Sequence, residues 1–167
     1  TDCFKAVGWG YAYGPDIAAE GNAPERAAYP DVLLKKRLAD AITRINPHLP
    51  QASVEEVVHV VTTPDHPSLV QNNRTFHRLL LEGVKVEFTP DGSDHKEADN
   101  AQLIDFATPS NSDFLIVNQL TVTGTKQNRI PDIVVYINGL SLAVVELKNA
   151  ADENAADEYA DVWKAYG

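Results

Sequence analysis

Two apolar runs joined by Asn138-Gly139 constrain this chain more than any other feature. The first is Ile130-Pro131-Asp132-Ile133-Val134-Val135-Tyr136-Ile137, and the second is Leu140-Ser141-Leu142-Ala143-Val144-Val145-Glu146-Leu147-Lys148. Both are rich in β-branched residues, and Asn-Gly between such runs is a strong hairpin signal. Each run carries charge at the end remote from the turn: Asp132 on one, Glu146 and Lys148 on the other. Charges beside apolar strands are costly to desolvate unless something pairs them, and a divalent metal ion would do so. Two carboxylates and a lysine converging on one point describe a metal-dependent phosphodiesterase site.

Convergence depends on register. Side chains two apart on a strand share a face, so Glu146 and Lys148 point the same way. A two-residue Asn138-Gly139 loop pairs Ile137 with Leu140. An unbroken ladder then pairs Asp132 with Val145 and sends Glu146 to the opposite face. A three-residue loop, Ile137-Asn138-Gly139 with Gly139 left-handed, reverses the parity and sets Asp132 against Val144 with Glu146 diagonal to it. A bulge in either strand has the same effect. The metal-site reading therefore predicts that this hairpin is not a regular two-residue type I′ ladder, and it favours the three-residue turn. Magnesium is the natural ion, because it takes hard oxygen ligands and uses one or two carboxylates plus substrate phosphate. Asp132 and Glu146 are the candidate metal ligands. Lys148 is the candidate for orienting a water or stabilising transition-state charge. By itself the motif has low specificity, since an Asp at a strand start and an E-x-K at a strand end also arise by chance.

Upstream, helical spacing alternates with turn signals. Gly8 to Pro15 reads as a loop or short hairpin whose aromatics pack on the core, with a base-stacking platform as the less favoured reading. Asp31 is placed to N-cap a helix reaching about Asn46 that buries Leu34, Leu38, Ile42 and Ile45. Ser53 and Glu56 form a capping-box pattern for a second helix. Ser68 caps a third through Glu82, with Phe76, Leu79 and Leu80 inward and Gly83 as its stop. Val84 to Phe88 alternates as a strand, Thr89 to Asn100 reads as a polar connection, and Leu103 to Phe106 reads as the next strand. Phe114 to Val122 is a strong strand, and Gly124 to Asn128 a turn. Asp152 is placed to cap a closing helix bearing Tyr159, Val162 and Trp163. With no repeat or linker, the pattern predicts one α+β domain over 1–167.

Composition removes several function classes. The chain has 167 residues and a formal net charge of −10. An isolated duplex-binding domain is usually basic, so a domain this acidic that acts on DNA would need other domains or subunits to deliver it. Cys3 is the only cysteine, which excludes an internal disulfide and suits a reducing cytoplasm. No apolar stretch has the length of a membrane span, and no signal peptide is visible. The absence of methionine suggests a fragment or a processed product. His48, His59, His66, His77 and His95 form no metal-binding pair, and there is no P-loop or serine-nucleophile elbow. Lys126, Arg129 and Lys148 outline a small basic rim near the carboxylates.

The order of these segments resembles the N-terminal part of the restriction (R) subunit of type I restriction-modification enzymes. The likeness runs through Arg37-Leu38-Ala39-Asp40-Ala41-Ile42 to Asn46-Pro47-His48-Leu49-Pro50. It continues through Asn73-Arg74-Thr75-Phe76-His77-Arg78-Leu79-Leu80, Glu82-Gly83-Val84, and Asn111-Ser112-Asp113-Phe114-Leu115-Ile116-Val117-Asn118-Gln119. It is strongest from Pro131-Asp132 to Glu146-Leu147-Lys148-Asn149 and Ala151-Asp152-Glu153-Asn154-Ala155. The resemblance implies a PD-(D/E)XK nuclease domain with a restriction-endonuclease-like fold, a central mixed sheet flanked by helices. It implies magnesium-dependent cleavage of double-stranded DNA, with Asp132 and Glu146 as metal ligands and Lys148 as the catalytic lysine. It further implies an ATP-driven motor downstream, so ATP enters only through domains beyond this chain, and methylation and specificity subunits that recognise DNA. A glutamine-and-tyrosine motif belongs on the helix after the lysine, about where Tyr166-Gly167 ends the sequence, so the last helix is expected to be truncated and the isolated piece inactive. Two alternatives remain: a non-catalytic docking domain of the same fold, and a repair-linked nuclease of another PD-(D/E)XK group.

Overall fold

The computed structural model describes residues 2–90, 92–124 and 127–147. In chain order the elements are α1 (Asp2–Ala6), β1 (Gly10–Tyr13), α2 (Lys35–Ile45), α3 (Gln51–Thr62), α4 (Leu69–Glu82), β2 (Val84–Phe88) and β3 (Glu97–Ala101). A 3₁₀ turn (Pro109–Asn111) then leads to β4 (Phe114–Asn118), β5 (Val122–Thr123), β6 (Asn128–Arg129), β7 (Ile133–Ile137) and β8 (Leu140–Val145). Lys148 and the expected closing helix from Asp152 lie outside the described residues.

A four-stranded sheet in the order β1-β4-β7-β8 organises the molecule. β1 runs parallel to β4, whereas β4, β7 and β8 are successively antiparallel. This mixed sheet with its helices is the α+β class expected, and it is consistent with a restriction-endonuclease-like fold. β2–β3 and β5–β6 form separate two-stranded pairs. Among the described residues, no helix is long and apolar enough to cross a membrane.

Alternation decides which side chains are buried. Leu115 and Val117 of β4 and Val134 and Tyr136 of β7 share a cluster with Ile17, Leu34 and Leu120. The Tyr136 hydroxyl, fully buried, donates to the Val32 carbonyl at 2.7 Å, and its burial holds the phenol well above its usual pKa. A second cluster joins Leu38 and Ile42 of α2, Val54, Val57 and Val61 of α3, and Val84, Val86 and Phe88 of β2 to Leu103 and Leu140. The period-two pattern of β2 is complete: Val84, Val86 and Phe88 are buried, Lys85 and Glu87 exposed. Phe76, Leu79 and Leu80 of α4 pack against this cluster, and Gly83 ends the helix with φ of 81°.

Several boundaries differ from those the sequence predicts, each for a visible reason. α2 starts at Lys35, not after Asp31, because the buried Leu34 docks first: its N–H donates to the Gly139 carbonyl at 2.9 Å. The Asp31 carboxylate instead accepts the Ala28 N–H. α3 starts at Gln51, behind a Pro50 already extended at φ −66°, so Ser53 lies inside the helix and is buried rather than capping it. Ser68 does precede α4, without a side-chain cap bond.

The second strand of the β2 hairpin is Glu97–Ala101, not Leu103–Phe106. Asn46 stops the pairing, because its side chain bonds both the N–H and the carbonyl of Gln102 at 2.9 Å. Asp105 then folds the chain back by accepting the N–H groups of Ala107 and Thr108 and the Asn111 side-chain amide. β4 ends at Asn118, short of the predicted Val122, because Gln119 turns left-handed with φ of 55°. Gly10–Tyr13 is a parallel edge strand rather than a loop or hairpin. Trp9 packs beside Phe4 and Phe114, but Tyr11 and Tyr13 stay exposed.

Candidate active site

The turn of the β7–β8 hairpin is a two-residue loop. Ile137 pairs with Leu140, and Asn138 and Gly139 take φ of 54° and 78°, as a primed hairpin turn requires. The favoured three-residue turn is therefore not formed. The other expected departure, a bulge, is present. Tyr136 pairs with Ser141 but Val135 pairs with Ala143, so Leu142 is an extra residue in β8. This bulge shifts the parity of everything beyond it. It is local, and Leu142 packs its partly buried side chain against the cluster that also holds Leu140.

Beyond the bulge the ladder runs Val134 to Val144 and Ile133 to Val145. The ladder ends there; continued by one step at the same parity, it would set Asp132 opposite Glu146, on the face of Val134 and Tyr136. Directly opposed residues of antiparallel strands have Cβ atoms about 5 Å apart, within reach of one shared cation. The backbone independently ties the two strand ends: the Leu147 N–H donates to Asp132 Oδ2 at 2.7 Å, which fixes the orientation of that carboxylate. Asp132 and Glu146 are both half-buried, so they sit at the rim of the sheet rather than in the core.

The donor set suits a hard cation that completes its shell with water and substrate oxygens. Two carboxylates meet what magnesium asks of a protein. Among the described residues no group of three or more His, Cys, Asp or Glu side chains is placed to hold a metal by itself. His48 is engaged elsewhere, its Nε2 lying 2.7 Å from Asp99 Oδ2. Of the basic rim, Arg129 lies on β6 opposite Val122, while Lys126 and Lys148 fall outside the described residues.

One neighbour of the carboxylates was not singled out from the sequence. The Gln119 N–H donates to the Asp132 carbonyl at 3.3 Å, which places the left-handed end of β4 beside the pair. Only the residue order after a strong apolar strand could have signalled it, because glutamine carries no preference for that conformation.

The family described as "Type I restriction enzyme R protein N terminus" matches residues 1–166. The chain is 38% identical over 152 residues to the "Type I restriction enzyme HindI endonuclease subunit" of Haemophilus influenzae, a match covering 90% of this chain and 14% of that protein. It is 35% identical over 161 residues to the "Putative type I restriction enzyme MjaIXP endonuclease subunit" of Methanocaldococcus jannaschii, covering 94% of this chain and 15% of the relative.

Proposed function

Because the chain belongs to the type I restriction enzyme R protein N-terminal family, we propose that it is the DNA-cleaving part of such an enzyme. The proposed activity is magnesium-dependent hydrolysis of double-stranded DNA within an ATP-driven complex. The observation that supports this reading is the bulge in β8, whose parity, continued past Ile133 and Val145, favours one face for Asp132 and Glu146 despite a two-residue turn.

Asp132 and Glu146 are assigned as the metal ligands, and Leu147 holds the Asp132 carboxylate in place through its N–H. Magnesium, when bound, supplies charge neutralisation at the phosphate and acidifies a water. Lys148, two residues beyond Glu146, is assigned to orient the attacking water and stabilise charge on the phosphate. The half-burial of the carboxylates matters here, because a rim position admits a duplex that a core position would exclude.

This chain spans 14% and 15% of the two relatives, so the proposed partners lie largely outside it. They are an ATP-consuming motor in the same subunit, and methylation and specificity subunits that select the DNA. The net charge of −10 supports delivery by those partners, since a domain this acidic would repel a duplex offered to it alone. The test is DNA cleavage by the assembled complex carrying Asp132→Ala or Lys148→Ala. Cleavage is expected to fall on the order of a hundred-fold or more, with ATP-driven translocation kept. Normal cleavage in both variants would reject the assigned site and favour a docking role.

A further inference from the structure

Among the described residues, two that are not glycine have a left-handed φ: Asn138 at 54° and Gln119 at 55°. The conformation costs free energy for any residue bearing a Cβ. Asn138 has a structural reason to bear it, since its side chain is buried and bonded to Asp113, Leu103 and Ser112. Gln119 is exposed.

Its backbone is locked from three directions. Its N–H donates to the Asp132 carbonyl at 3.3 Å, and Leu120, next in the chain, is fully buried. On the other side Gly14 donates to the Asn118 carbonyl at 2.8 Å and lies so close that a Cβ there would meet Leu120 Cα at 2.7 Å and the Gln119 carbonyl closer still. Glycine at 119 would satisfy this geometry without strain. A glutamine held there is strain at the mouth of a site, of the kind that accompanies a used side chain.

Position says what the use is. β4 and β7 pair Asn118 with Ile133, and β7 and β8 pair Ile133 with Val145. Both ladders end at that row; continued by one step, their register brings Gln119, Asp132 and Glu146 to neighbouring strand ends, and the Gln119 N–H on the Asp132 carbonyl makes the first of these adjacencies directly. We propose that Gln119 is a substrate contact: its side-chain amide donates to a phosphate oxygen of the DNA strand held at Asp132 and Glu146. A neutral donor fits this place. A lysine or arginine in the row would be drawn onto the carboxylates, whereas an amide keeps a donor for phosphate without competing for them. Contacts of this type fix the strand's register and are blind to base sequence. The inference rests on the nuclease reading of Asp132 and Glu146.

The experiment compares Gln119→Gly, Gln119→Glu and Asp132→Ala in the complete subunit, assembled with its partners. Single-turnover cleavage, ATP hydrolysis and the thermal unfolding midpoint of the subunit are read for each. Gln119→Gly is expected to slow cleavage about ten-fold or more, the loss of one hydrogen bond to a charged group. It should do so while holding or raising the unfolding midpoint, because it relieves the backbone. Gln119→Glu is expected to be slower than Gln119→Gly, since it adds a third negative charge to the row. ATP hydrolysis should be unchanged in all three. Wild-type cleavage by Gln119→Gly, or slow cleavage together with a lowered midpoint, overturns the assignment and leaves Gln119 a backbone role. If Asp132→Ala abolishes cleavage while Gln119→Gly does not, this inference alone fails. If Asp132→Ala cleaves normally, the nuclease reading fails and takes this contact with it.

Discussion

The two ends of the β7–β8 hairpin use polar residues for opposite purposes. At the closed end the Asn138 side chain and N–H are all occupied. Asn138 is fully buried, accepts the Asp113 N–H at 2.7 Å, donates to the Leu103 carbonyl at 2.8 Å, and gives its own N–H to the Asp113 carbonyl at 2.8 Å. Beside this end, Arg37 of α2 bridges Glu25 and Asp113, and those hydrogen bonds, that to Glu25 foremost, raise its pKa further. At the open end Asp132 and Glu146 are half-buried carboxylates at the rim of the sheet. Between the two ends lies the Leu142 bulge. One end satisfies its polar groups internally and thereby anchors the register. The other leaves two half-buried carboxylates at the strand ends.

The comparison breaks most severely at Gly139. Its φ is 78°, and an added Cβ would lie 2.9 Å from the Leu38 backbone nitrogen and closer still to the Leu34 carbonyl. Gly139→Ala combines a left-handed penalty with overpacking against helix backbone, and should cost about 2–5 kcal/mol in urea unfolding. Asn138→Ala comes next, at about 2–3 kcal/mol, because it strands the Asp113 N–H and the Leu103 carbonyl in the interior. Asn138→Gly separates the contributions: it keeps the turn conformation and loses only the side-chain bonds, so it should destabilise less than alanine. An alanine equal to wild type would mean that the closed end does not anchor the hairpin. The contrast is Asp132→Asn at the open end, which retains an acceptor for Leu147 and should change stability by no more than about 0.5 kcal/mol.

Much of this was legible in the residues. Asn138-Gly139 between two β-branched runs marks the hairpin, but the site reading favours a three-residue turn, and the structure forms the two-residue one that local φ preferences ask for. The alternation of Val84, Val86 and Phe88 specifies a strand with one buried face. The bulge was legible only as one of two ways to bring the carboxylates together, because nothing about Leu142 itself marks an extra residue; its packing against the Leu140 cluster does. β1 was missed since a parallel edge strand finds its partner about a hundred residues away and leaves no local hairpin signal. β3 was missed because Glu97 to Asn100 are exposed and polar, and their strand conformation is imposed by β2. Leu103 and Ile104 are buried as their composition suggests, but Asn46 and Asp105 take the backbone bonds that a strand would need.

A deletion of Leu142 gives the bulge its most discriminating test. In the native ladder Ser141 already faces Tyr136 and Ala143 already faces Val135. Removing Leu142 therefore regularises β8 without altering any pairing beyond it, so the relation between Asp132 and Glu146 is kept. The deletion should cost about 1 kcal/mol, the loss of one partly buried leucine, and cleavage by the assembled complex should persist. Abolished cleavage in a complex that still hydrolyses ATP would mean that the bulge sets the carboxylates by geometry beyond simple parity.

The smallest effect is expected from Asp105, which shapes the segment that the closed end rests upon. Its carboxylate accepts the Thr108 N–H at 2.8 Å, the Asn111 amide at 2.9 Å and the Ala107 N–H at 3.0 Å. The Thr108 bond foremost, then that from Asn111, holds its pKa below the usual aspartate range. A carboxylate depressed on folding contributes stability that is complete above its unfolded pKa of about 3.9 and is lost as pH falls through the lower folded value. Asp105 lies only partly buried at the surface, so the contribution is screened and small. Asp105→Asn should lower the unfolding midpoint slightly at pH 7, and the difference from wild type should shrink as pH falls below about 4. A gap of constant size down to pH 2 would show that the ionised carboxylate contributes nothing beyond the shape of its hydrogen bonds, and that the closed end is anchored by neutral contacts alone.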